Sequence, residues 1–142
     1  MWYKHGKLHR ENGPAVVKPD GTIKYYINNQ LHRDNGPAVI RPDGQQIWYC
    51  RGRYHRIDGP AIILPNSTHL GCGNCAHNPS IAKWYKHGKL HREDGPAWVS
   101  NDKVHWFWNG KNLPFIEYWE KVKKGPNANK VMAYILGSKQ ND

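Results

Sequence analysis

Four stretches of this chain are copies of one another, and a fixed period of that kind restricts architecture more than any other property of a sequence. Trp2-Tyr3-Lys4-His5-Gly6-Lys7-Leu8-His9-Arg10-Glu11-Asn12-Gly13-Pro14-Ala15 returns as Tyr25-Tyr26-Ile27-Asn28-Asn29-Gln30-Leu31-His32-Arg33-Asp34-Asn35-Gly36-Pro37-Ala38. A third copy runs from Trp48 to Ala61 and a fourth, nearly identical to the first, from Trp84 to Ala97. The copies start at 2, 25, 48 and 84, so the period is 23 residues and the last step carries 13 more, an insertion within 66–82. A partial fifth copy starts at Trp106 and departs from the pattern at Leu113-Pro114. Units this short cannot bury a face alone, so they must stack as successive layers.

Within a period, Ala15-Val16-Val17-Lys18, Pro19-Asp20-Gly21 and Thr22-Ile23-Lys24-Tyr25-Tyr26-Ile27 read as two strands around a turn. A second turn falls at Gly6, Asn29, Gly52, Gly88 and Gly110. Glycine and asparagine tolerate positive φ at least cost, so the substitution pattern itself marks a left-handed position. The Gly-Pro step at Gly13-Pro14 and its copies redirects the chain once more. The sequence therefore predicts about two short antiparallel strands per period. The expected fold is mainly β, with tandem hairpin repeats over 1–112 forming a repeat sheet or solenoid.

From Pro114 onward the period changes. Phe115, Tyr118, Trp119 and Val122 fall at i, i+3, i+4 and i+7, which predicts an amphipathic helix ending before Gly125-Pro126. Val131, Met132, Ile135 and Leu136 suit a second short helix, so 113–142 is expected to be a helical cap and tail. The first copy has no such cover, and its edge is expected to be open to pairing with another chain, which would make a homo-oligomer.

The chain carries 21 Lys and Arg against 11 Asp and Glu, a formal charge of +10, with the excess spread along its length. Anionic partners are favoured. There is no apolar run of the roughly 18 residues a membrane span needs, and Met1-Trp2-Tyr3-Lys4-His5 lacks the apolar segment of a secretory signal. Three cysteines do not make a disulfide framework. The expectation is a soluble protein of the cytoplasm.

The Asp-Gly, strand, aromatic pair, Asn-Gly-Lys pattern with a period near 23 resembles the MORN-type β-hairpin repeats. Gly88-Lys89-Leu90-His91-Arg92-Glu93-Asp94-Gly95-Pro96-Ala97 more closely resembles a repeat of bacteriophage and giant-virus proteins. The resemblance covers roughly residues 2–112. It implies a scaffold that binds other molecules and, on the viral side, a host-cytoplasmic protein or nucleoprotein target such as a defence component to be inhibited. MORN repeats usually carry a second glycine-rich step where this chain has His-Arg-acid-Asn/Asp-Gly-Pro, so lipid binding does not carry over.

The His-Arg pairs His9-Arg10, His32-Arg33, His55-Arg56 and His91-Arg92 form a ladder of cations that could grip the phosphates of a nucleic acid or an anionic nucleotide. A residue kept in every copy can equally build the layer: arginine stacking on a Trp or Tyr ring and pairing with the nearby acid, histidine capping a turn. Positions that differ between copies are better placed to recognise a partner. Lys4, Ile27, Cys50, Lys86 and Trp108 share one such position, and Lys7, Arg51, Arg53 and Lys89 flank the turns. Rings interleaved with these cations suit single-stranded nucleic acid, and suit a solvated or protein-binding rim as well.

The insertion contains His69-Leu70-Gly71-Cys72-Gly73-Asn74-Cys75-Ala76-His77. Cys72 and Cys75 have the spacing of half a zinc site, with His69 and His77 able to complete a tetrahedron; a mobile loop or a reversible disulfide are the alternatives. His32-Arg33-Asp34 mimics a kinase catalytic loop without the glycine loop and metal-binding aspartate that must accompany it. The reading that follows is a non-enzymatic module docking a protein or nucleoprotein through a basic, aromatic surface. Its rivals are a nucleic-acid or nucleotide binder and a zinc or redox protein built on the insertion.

Overall fold

The computed structural model describes residues 1–65, 81–100 and 103–138, and it is mainly β with two helices at the C-terminal end. In the first copy β1 (Tyr3–Lys4) and β2 (Lys7–Leu8) form one hairpin, and β3 (Val16–Val17) and β4 (Ile23–Lys24) form another. The same order returns as β5 (Tyr26–Ile27), β6 (Gln30–Leu31), β7 (Val39–Ile40) and β8 (Gln46–Ile47). It returns again as β9 (Tyr49–Cys50), β10 (Arg53–Tyr54), β11 (Ile62–Leu64) and β12 (Ile81–Lys83). The last round is β13 (Tyr85–Lys86), β14 (Lys89–Leu90), β15 (Trp98–Ser100) and β16 (Val104–Trp108), followed by β17 (Lys111–Leu113).

Each copy thus supplies four short strands where the sequence predicts about two. The segment Thr22–Ile27 breaks at Tyr25, whose N–H donates to Ala38 O (2.8 Å) and whose carbonyl accepts from His32 N–H (3.1 Å). With both backbone groups turned to partners inside its own copy, Tyr25 cannot extend the sheet ladder. The chain passes there from one ladder to another. Trp2, Trp48 and Trp84 make the same pair of bonds, to Ala15, Ala61 and Ala97 and from His9, His55 and His91.

One ladder is a nine-stranded antiparallel sheet in the order β17-β16-β15-β12-β11-β8-β7-β4-β3. The other is a row of two-stranded hairpins, β1-β2, β5-β6, β9-β10 and β13-β14. Backbone bonds tie successive hairpins together: Asn29, Gly52, Gly88 and Gly110 donate to Leu8, Leu31, Tyr54 and Leu90 of the preceding copy, and Arg10, Arg33 and Arg56 donate to Tyr26, Tyr49 and Tyr85 of the following one. β11 and β12 flank the insertion and still pair, Ile62 with Lys83 and Leu64 with Ile81, so the extra residues leave the sheet register unchanged.

Both residues of each hairpin turn have positive φ, for example His5 at 51° and Gly6 at 72°, or Arg51 at 48° and Gly52 at 77°. This is the two-residue turn whose twist matches that of the strands it joins. Sequence marked the second residue of each turn as left-handed; the first is left-handed too.

After Pro114, α1 (Phe115–Val122) and α2 (Ala128–Ser138) cover the last repeat. Tyr118, Val122 and Val131 join Trp106 and Leu113 in a buried cluster, with Phe115, Trp119, Tyr134 and Ile135 packed around it. α1 uses the face its periodicity predicts. α2 turns Val131 inward but leaves Met132 and Leu136 exposed, its other inward contacts coming from Tyr134 and Ile135. At the opposite end Trp2, Tyr3 and Val17 are exposed, while their counterparts in the next two copies are at least half-buried. Among the described residues no helix is long and apolar enough to cross a membrane.

Candidate binding surface on the repeat array

The arginine of every copy is held the same way. Arg10, Arg33, Arg56 and Arg92 lay their guanidinium over the rings of Trp2, Tyr25, Trp48 and Trp84, with Cζ 4.2, 4.0, 4.0 and 4.0 Å from the ring centre. Nη1 donates to the carbonyl of Pro14, Pro37, Pro60 and Pro96, each at 3.2 Å. The opposite face lies against the glycine of the Gly-Pro step, where an added Cβ would come within 2.8–3.1 Å of Cζ. A planar cation between a ring and a bare Cα explains in one arrangement why Arg, Gly, Pro and the aromatic residue recur together. Both faces of these guanidinium groups are used inside the fold.

The histidines link one copy to the next. Nδ1 of His9, His32, His55 and His91 accepts the backbone N–H of Asn28, Arg51, His87 and Asn109 at 3.0–3.2 Å. Each acceptor therefore fixes the first turn residue of the following hairpin, the residue forced to positive φ. Nε2 lies 3.2 Å from Glu11 in the first copy, 3.0 Å from Asp34 in the second and 3.3 Å from Glu93 in the fourth. The third copy has Ile57 at that position. His55 instead stacks on His87 at 4.6 Å, and burial first, then the neighbouring His87 and Lys86, pushes its pKa below the usual histidine value.

The turn-flanking cations are placed differently. Lys7, Gln30, Arg53, Lys89 and Lys111 form a column along the row of hairpins. The stem of Gln30 lies over Gly52, that of Arg53 over Gly88 and that of Lys89 over Gly110, close enough that a Cβ added at the glycine would sit 3.6–4.0 Å from it. The aliphatic stems rest on the next copy while the heads reach water. Lys7, Arg51, Arg53, Lys89 and Lys111 are exposed, and among the described residues none has a carboxylate within ion-pair distance. Lys4 and Lys86 are exposed as well but pair with Glu11 (3.0 Å) and Glu93 (3.4 Å). Those contacts, the Lys4 and His9 hydrogen bonds in one case and the His91 hydrogen bond first in the other, hold both carboxyls below their ordinary pKa.

Trp108 belongs to the cap. Its ring packs edge-on against His91 (4.7 Å) and Tyr118 (6.3 Å), so it braces the helices instead of facing a partner. The His-Arg-x-x-Gly-Pro loops project between copies and leave concavities, one of about 650 Å³ between copies two and three and one of about 630 Å³ between copies three and four. Ile57, the residue that replaces an acid, borders both and is 92% exposed. The alignment of the copies contained this signal, since Cys50 and Ile57 together replace a Lys and an acid in the third copy. Cys50 is a free, half-buried thiol.

His69, Cys72, Cys75 and His77, with the zinc site they suggest, lie outside the described residues. Among the described residues no group of three or more His, Cys, Asp and Glu side chains is placed to hold a metal ion. Comparison of the chain with protein-family models, curated proteins and solved structures gives no match.

Proposed function

We propose that the chain is a non-enzymatic binding module that docks a protein or nucleoprotein partner through the exposed row of hairpin turns. The observation that carries this reading is the division between two sets of cations. Arg10, Arg33, Arg56 and Arg92 are sandwiched inside the fold, whereas Lys7, Arg53, Lys89 and Lys111 along one column, with Arg51 in the turn beside it, present exposed charge that no described carboxylate pairs. A rigid line of such charges attracts and orients an acidic surface. The rings that would stack on nucleic-acid bases, Tyr25, Trp48 and Trp84, are half-buried and covered by guanidinium on one face, which favours a protein contact over base stacking.

The second copy shows that glutamine is accommodated in the column, so Lys7→Gln, Arg53→Gln and Lys89→Gln combined should fold unchanged. Affinity capture from the native cell, read by mass spectrometry, is expected to recover a partner with the unaltered chain and to lose it with the triple variant. Equal recovery by both would overturn the proposal. Saturable binding of a labelled single-stranded oligonucleotide that weakens steeply with salt would replace it with the nucleic-acid reading.

A further inference from the structure

Copies three and four carry an aspartate that copies one and two lack, and the difference falls on the arginine. Asp58 accepts from Arg56 Nε at 2.9 Å and Asp94 from Arg92 Nε at 2.7 Å. The Arg56 hydrogen bond, and its charge after that, hold the Asp58 carboxyl below the ordinary aspartate range. Asn12 and Asn35 stand at the matching positions in copies one and two. Among the described residues neither Arg10 Nε nor Arg33 Nε has an acceptor; each guanidinium has its faces covered, its Nη1 bonded to a proline carbonyl and its Nε edge open. The molecule thus displays a carboxylate on this edge twice and leaves the same edge vacant twice.

Arg33 lines the 650 Å³ groove between copies two and three, together with Asn35, Trp48, Tyr49, Cys50 and Ile57. Ile57 is the most exposed large apolar side chain of the described residues. The groove's own carboxylates are engaged, Asp34 beside His32 Nε2 and Asp58 with Arg56. We propose that this groove takes an acidic peptide segment of a protein partner, with one carboxylate on Arg33 Nε in the place Asp58 and Asp94 occupy in their own copies, and a neighbouring apolar side chain against Ile57 and Cys50. This rests on the protein-docking reading above and gives it a specificity centre: the column of turns attracts acidic surfaces in general, and the groove selects a carboxylate beside an apolar residue. A charge-assisted hydrogen bond to a guanidinium already fixed by its ring and carbonyl partners contributes more discrimination than an exposed ion pair between two mobile side chains.

The test is titration of the full chain, watched at the arginine Nε–H signals by NMR, with acetyl-Leu-Glu-Leu-amide and its Leu-Gln-Leu counterpart as probes. Saturable movement of the Arg33 signal by the glutamate peptide is expected, with Arg56 and Arg92 unmoved. Asn35→Asp supplies the carboxylate internally, as copies three and four do, and is expected to weaken the peptide roughly tenfold or more. Ile57→Glu restores the acid the other copies carry and is expected to weaken it as well. An Arg33 signal that does not move, equal binding of the glutamine peptide, or equal binding of inorganic phosphate would overturn the proposal. Because the probes do not depend on the turn column, such a failure would leave the capture experiment with the triple glutamine variant free to succeed or fail by itself.

Discussion

Between Trp2 and Ala97 the side chains with no solvent exposure at all include Ala15, Ala38, Ala61 and Ala97; at the other end Tyr118 and Val131 are equally buried and gather Trp106, Leu113 and Val122 about them. The array is therefore assembled from backbone bonds and guanidinium sandwiches repeated at every step, and the cap from a hydrophobic cluster. A chain with few large aliphatic residues to spare can still order many layers, provided each layer repeats the same polar fittings. Those fittings leave the end of the stack to be closed by a different kind of packing. Tyr118 spans the two regimes: its ring is in the cluster while its hydroxyl donates to Arg92 O (2.8 Å) and Gly95 O (3.1 Å) of the last repeat. Burial pushes its pKa up to about 12.

The sharpest way to break the contrast is to remove that tie. Tyr118→Ala should cost about 3–5 kcal/mol, the range for truncating a buried aromatic side chain. Hydrogen exchange should show the loss concentrated in β16, β17 and the helices, with the first two copies protected as before; uniform loss along the array would mean the two regions are one cooperative core.

A smaller effect is expected within the array. Gly59→Ala would place a Cβ 2.8 Å from Arg56 Cζ, and urea unfolding should show a loss of about 1–3 kcal/mol, as for other overpacked sites. Gly6→Ala meets nothing within 4 Å, so its cost should be confined to its positive φ.

Acidification probes the links between copies. The pKa of His55 is lowered in the fold, so its contribution to stability is complete above the usual histidine value near 6.5 and declines as pH falls through the lowered one. The melting temperature should drop on going from pH 7 to 5, and His55→Asn, which keeps an acceptor without a titrating ring, should flatten that drop. The carboxylates with lowered pKa, Glu11, Asp20, Asp58 and Glu93, add their own loss only below about pH 4.5. The smallest change expected is a gain: Arg51 sits at φ 48°, and Arg51→Asn should raise stability by about 0.5 kcal/mol, because asparagine tolerates that conformation better. A loss would show that the Arg51 side chain supports its own hairpin.

Much of the architecture was legible because repetition amplifies weak signals. Five glycine-or-asparagine positions in register mark a turn that one glycine would not, and Phe115, Tyr118, Trp119 and Val122 mark a helix by spacing alone. The break at Tyr25 was not legible, since an aromatic residue between Lys24 and Tyr26 looks like continuous strand; only the carbonyl of Ala38, brought back by the far end of the same copy, diverts its N–H. The same holds for Trp108, which shares a column with Lys4 and Lys86 but meets Tyr118 from a helix with no counterpart in the earlier copies. For the His-Arg pairs the sequence left two uses open, and the geometry fills every guanidinium face internally. The vacant Nε of Arg33 required both the copy alignment and the coordinates, because Asn35 reads as an ordinary turn residue until Asp58 is seen on Arg56.

The central claim is that arginines present in every copy build the layers through their guanidinium faces, while cations that vary between copies attract the partner. Urea unfolding of two parallel series addresses it directly: Arg10→Met, Arg33→Met, Arg56→Met and Arg92→Met against Lys7→Gln, Arg53→Gln and Lys89→Gln. Each member of the first series should lose about 1–3 kcal/mol, the combined scale of a cation–ring contact and a charged hydrogen bond, and each of the second should stay within about 0.5 kcal/mol of the unaltered chain. Methionine variants as stable as the parent would contradict the account and return the arginine ladder to the list of binding residues.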